Sequence, residues 1–72
     1  MMTSAIVEGT RVKIGDYVGF KSDVEQSGKI KSIRAGYTGQ AELTLEDENG
    51  FSGDYIGGQT ITTVLAVDCW VD

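Results

Sequence analysis

The chain has 72 residues, 40% of them apolar, and carries six basic against eleven acidic side chains for a net charge of −5. A chain this short makes one domain with a small core, since about 60% of its unfolded surface is all it can bury. With no histidine and a single cysteine, Cys69, intrachain disulfides, structural zinc sites and the usual serine or cysteine charge-relay sites are excluded, and the acidic balance counts against a general binder of duplex DNA or anionic membranes.

Ten glycines, no proline and short runs of valine, isoleucine, threonine and aromatics predict an all-β chain. Residues 1–10 are expected to be a flexible N-terminal segment ahead of a single domain over 11–72. The first strand begins near Arg11, with Val12 and Ile14 on its inner face. Gly15-Asp16 turns the chain into a second strand, where Val18 and Phe20 share a face, and the polar residues 22–27 read as a surface loop. Over residues 28–36, Ile30 and Ile33 stand three apart, a spacing that strict alternation sends to opposite faces. A β-bulge near Lys31-Ser32 returns both to the core.

After a turn at Gly36-Tyr37-Thr38-Gly39, residues 40–46 alternate cleanly, with Ala41, Leu43 and Leu45 inward and Glu42, Thr44 and Glu46 outward. Asn49-Gly50 then predicts a type I′ hairpin that returns through residues 51–56. Residues 60–67, rich in β-branched side chains, form a further strand. A 3₁₀ turn within 66–69 precedes Trp70 and Val71, which close the sheet. Five or six short strands with one bent member predict a small antiparallel barrel.

The run Val12-Lys13-Ile14-Gly15-Asp16-Tyr17-Val18, followed by a polar loop and Gly28-Lys29-Ile30, resembles the opening of SH3-like small barrels of the KOW and Tudor kind. The resemblance covers roughly residues 11–56 and is one of fold. The chain is also similar to short tailed-phage proteins of uncharacterised function, a likeness that carries no residue role. Tudor-like kinship implies an aromatic cage for a cationic ligand, for which Tyr17, Tyr37, Phe51, Tyr55 and Trp70 are available, although core packing explains Phe20 and Trp70 equally well. KOW-like kinship implies RNA or protein partners. Plasmid-type dihydrofolate reductases share the layout, but their Val-Gln-Ile-Tyr pore segment has no counterpart, and Tyr55-Ile56-Gly57-Gly58 is no equivalent.

Charge is segregated along the chain. All six basic residues lie between Arg11 and Arg34, a stretch summing to +3, whereas residues 35–72 hold seven carboxylates and no base. The bland reading is cross-strand pairing on a solvated surface. The functional reading is a non-enzymatic binding module, a protein-interaction or inhibitor domain in which Glu42, Glu46, Asp47, Glu48 and Asp54 form an acidic surface against a basic protein partner.

Two alternatives stand beside it. One is binding of RNA or single-stranded DNA through Lys21, Lys29, Lys31, Arg34 and Tyr37. The other is self-assembly through an exposed edge at residues 60–67. Glu46-Asp47-Glu48-Asn49-Gly50 lacks the register of a calcium loop, and residues 53–58 lack the lysine and hydroxyl of a phosphate loop. No catalytic residue, metal or cofactor is therefore expected. No secretory signal or membrane span is read in the sequence, and the lone cysteine suits a reducing compartment, so the expected setting is the cytoplasm.

Overall fold

Apolar–polar alternation broken by glycine turns produces seven strands in the computed structural model, which describes residues 2–72. Strands β1 (Ser4–Val7) and β2 (Thr10–Lys13) form an antiparallel hairpin. The other five are β3 (Tyr17–Lys21), β4 (Glu25–Ala35), β5 (Ala41–Glu46), β6 (Ile61–Leu65) and β7 (Cys69–Val71). They form one antiparallel sheet in the order β6-β5-β4-β3-β7, and a 3₁₀ turn at Ala66–Asp68 carries the chain from one edge to the other. The molecule is all-β, a five-stranded sheet with a two-stranded hairpin packed on it.

β4 is the centre of the sheet, and its bend is the bulge the isoleucine spacing predicts. Ile30 pairs with Leu45 and Ser32 with Thr44, so Lys31 is the extra residue. The offset leaves Ile30 and Ile33 both 1% exposed, beside the fully buried Val7, Val18, Leu43 and Leu45. Each such side chain contributes about 1.5–3 kcal/mol by leaving water. Phe20 and Phe51 complete the core edge to face, with ring centres 5.6 Å apart.

The N-terminal segment enters the fold earlier than the sequence reading placed it. Met1 lies outside the described residues. Met2 donates its N–H to Ile33 at 3.2 Å, and β1 buries Ala5 and Val7, so the first strand begins at Ser4 rather than near Arg11. The β1–β2 connection is a two-residue loop in which Glu8 and Gly9 both have positive φ, 51° and 76°. That is the dihedral signature of a type I′ hairpin. Ile14, expected inside, occupies a turn closed by Asp16 N–H to Lys13 carbonyl, with Gly15 at φ 99°, and is left 43% exposed. Residues 25–27, read as loop, belong to β4 and pair with β3.

The largest correction concerns residues 51–56. They do not return as a strand, and β5 pairs instead with β6. Gly50 donates to the Asp47 carbonyl at 3.0 Å, which makes Glu48 and Asn49 the central turn residues, and neither has positive φ. The Asp47 side chain accepts the Asn49 N–H, an Asx turn. Asn49-Gly50 therefore falls one position late for a type I′ turn. Residues 51–59 form a compact loop closed at its neck, where Phe51 N–H donates to Gln59 at 2.8 Å and Gly58 N–H to Phe51 at 2.9 Å.

Candidate functional site

The charges segregated along the sequence meet across one ladder. β4 and β5 are antiparallel, so the basic strand lies against the first acidic one. On their shared outer face, Arg34 Nε is 2.8 Å from Glu42 Oε1 and Lys31 Nζ is 3.5 Å from Glu46 Oε2. These exposed pairs are worth little in stability, typically about 0–1 kcal/mol each. Their effect on the surface is larger, because Lys31, Arg34, Glu42 and Glu46 neutralise one another in place. With them, the expected basic stripe and the expected acidic face are interleaved.

The remaining predicted residues disperse. Glu46, Asp47 and Glu48 line one surface depression of about 330 Å³ together with Tyr17 and Lys29. Gly28 lines it too, and a side chain there would press on Leu45 and Phe51. Lys29 is the one base facing this hollow among the lining residues, opposite three carboxylates. Among the described residues Glu48 makes no ion pair. Glu42 lies farther along β5, with Arg34 and Tyr37 in a second depression of about 320 Å³. Tyr37 itself stands fully exposed in the β4–β5 hairpin. Lys21 ends β3 opposite Glu25.

Asp54 belongs to another contact that the sequence did not announce. Its N–H donates to Asp23 Oδ2 at 2.7 Å. Beside it, Gln26 and Ser52 exchange two hydrogen bonds, Ser52 N–H to Gln26 Oε1 at 2.8 Å and Gln26 Nε2 to the Ser52 carbonyl at 3.0 Å. Together they fasten the loop of residues 51–59 to the start of β4. The Asp54 N–H, foremost, holds the Asp23 carboxyl below its ordinary value. The Lys13 N–H does the same for Asp16 at the β2–β3 turn. Burial pushes the Cys69 thiol up to about 11, so it stays protonated and inert.

The aromatic residues do not gather into one cage. Tyr17, Tyr37 and Trp70 line three separate depressions, and Phe51 is core. Trp70 instead fills the space beside Gly19, its partner across β3 and β7. A glycine inside an apolar strand is the one sequence signal of that close approach. Among the described residues no group of three or more His, Cys, Asp or Glu is placed to hold a metal ion. Among the same residues no helix is long and apolar enough to cross a membrane. Compared with protein-family models, with curated proteins and with solved structures, the chain finds no match in any of the three.

Proposed function

We propose that the chain is a non-enzymatic, SH3-like small barrel of the cytoplasm that binds a protein partner carrying a basic surface. The contact is centred on the Glu46–Asp47–Glu48 hollow rather than spread over all five carboxylates. The barrel reading is supported by the bulged β4, by β7 laid on β3 after the 3₁₀ turn, and by β1 packing on that turn and on β7. The observation that carries the function is that Asp47 and Glu48, which among the described residues make no ion pair, line with the single base Lys29 a hollow that also holds Gly28 and the half-exposed Tyr17. A basic side chain there gains charge complementarity and an aromatic wall.

Nucleic-acid binding is the weaker reading, since Lys31 and Arg34 already hold Glu46 and Glu42. The test is titration calorimetry with an arginine-rich peptide and, separately, a short single-stranded RNA at low salt. The peptide is expected to bind, and Glu46→Lys with Glu48→Lys to weaken it at least about tenfold, or ~1.4 kcal/mol. The charge-matched pair Asp68→Lys with Asp72→Lys should leave binding within a factor of about three. Equal losses in both pairs, or binding of the RNA alone, overturn the reading.

A further inference from the structure

The two edges of the five-stranded sheet are treated differently. On β7 the outward N–H groups are occupied: Cys69 N–H bonds the Ala66 carbonyl, and Val71 N–H bonds Glu8 Oε1 at 3.1 Å. On β6 the corresponding groups have no such partner. Asp47 N–H bonds the Thr60 carbonyl at 3.0 Å, and antiparallel alternation from that pair turns Thr62 and Val64 towards β5. The N–H groups of Ile61, Thr63 and Leu65 are thereby left on the free edge, and among the described residues they donate to nothing.

The edge is also open at the level of side chains. Thr62 and Val64 face the core yet remain only partly buried, and Ile61 is 43% exposed. β6 has no charge, proline or glycine, the devices that ordinarily blunt an edge. In a chain of net charge −5, it is a strand on which two copies meet without opposing carboxylates. On the outer face, base-bearing β4 and acid-bearing β5 are followed by an apolar rim of Ile61 and Leu65.

We infer that β6 is the docking edge for a second copy of this chain, the two β6 strands pairing antiparallel about a two-fold axis at Thr63. In that register Thr63 faces Thr63 and Ile61 faces Leu65 of the other copy. The free N–H and C=O groups of Ile61 and Thr63 and the N–H of Leu65 then satisfy one another in about four backbone hydrogen bonds, the Leu65 carbonyl already accepting the Cys69 thiol at 3.4 Å. The apolar rims meet on the outer face, and Thr62 meets Val64 on the inner one. Because β7 is occupied, the five-stranded sheet of each copy offers one open edge, and pairing through that sheet closes at two rather than growing into a fibre.

The test is sedimentation equilibrium on the full chain from low micromolar to near-millimolar concentration, with amide hydrogen exchange by NMR across the same range. The expected result is a species of about twice 7.7 kDa, with exchange at Ile61 and Thr63 slowing as it forms. Thr63→Lys, which sets two ammonium groups face to face, should weaken it by at least about tenfold. A chain that stays monomeric throughout, leaving the edge to some other strand, overturns the inference. So does a dimer whose Ile61 and Thr63 amides exchange as in the monomer, or one indifferent to a folded Thr63→Lys. Should that variant not fold, exchange in the unaltered chain decides alone.

Discussion

Trp70 stands where a side chain at position 19 would stand, so Gly19 is fixed by packing and not by backbone conformation. Gly19→Ala is expected to lower stability by about 1–3 kcal/mol through overpacking. Urea unfolding followed by the emission of the single tryptophan reads that loss directly. Asp23 makes a pH-dependent contribution. Its carboxyl is held below 3.8 in the fold, so its stabilisation is complete above the ordinary carboxylate value and disappears as pH falls through the lower folded value. Asp23→Asn should therefore lower stability at pH 7 and flatten the decline between pH 5 and pH 2, as urea midpoints across that range report. An unchanged acid slope would show that other carboxylates, Asp16 foremost, carry it.

At the scale of the element, the β1–β2 hairpin rests on a glutamate in a left-handed conformation. A non-glycine residue there costs about 1–2 kcal/mol, and the Glu8 carboxylate offsets part of this by capping Val71. Glu8→Ala keeps the strain and loses the cap, whereas Glu8→Gly loses both. The alanine variant should be the less stable of the two by about 1 kcal/mol, measured by thermal unfolding of both. If alanine proves as stable as glycine, the turn is not strained in solution.

The bulge in β4 was legible because two isoleucines three apart admit few other solutions in a strand flanked by glycines. Three features were not. β1 is a four-residue strand whose apolar content looks like a tail until Val12 is seen opposite Ala5. Asn49-Gly50 has the composition of a type I′ turn, and only the Asp47 carbonyl, one residue earlier than composition suggests, sets the frame. The charge pattern along the chain suggests two surfaces, because position in sequence does not reveal that antiparallel pairing lays Arg34 against Glu42. The acidic hollow was visible as the run Glu46-Asp47-Glu48, but its wall, Tyr17, comes from another strand altogether.

Taken whole, the molecule has little surplus stability, as expected of a domain this small. The loop of residues 51–59 contributes one buried core side chain, Phe51, 3% exposed and packed on Phe20, with the partly buried Ile56 packed against the core beside it. Phe51→Ala should cost about 3–5 kcal/mol, enough to leave a large fraction unfolded at 37 °C, which near-UV circular dichroism would detect. A loss under about 1 kcal/mol would mean that the loop folds over a core already complete without it.

Both margins of β4 are taken up along its bent course. Residues 25–29 pair with β3, Ile30 bonds Asp16 and Gly15, and Ile33 accepts from Met2, while residues 29–35 pair with β5. No strand can leave the middle of the sheet without separating β5 and β6 from β3 and β7. Local opening is thus expected at the rims first, and the Ile30 amide, bonded to the Asp16 carbonyl at 2.8 Å, is expected to exchange through global unfolding. Its exchange rate should then gauge global free energy, and a ligand that binds only the folded chain should slow Ile30 by the factor that it shifts the folding equilibrium, however distant its contact.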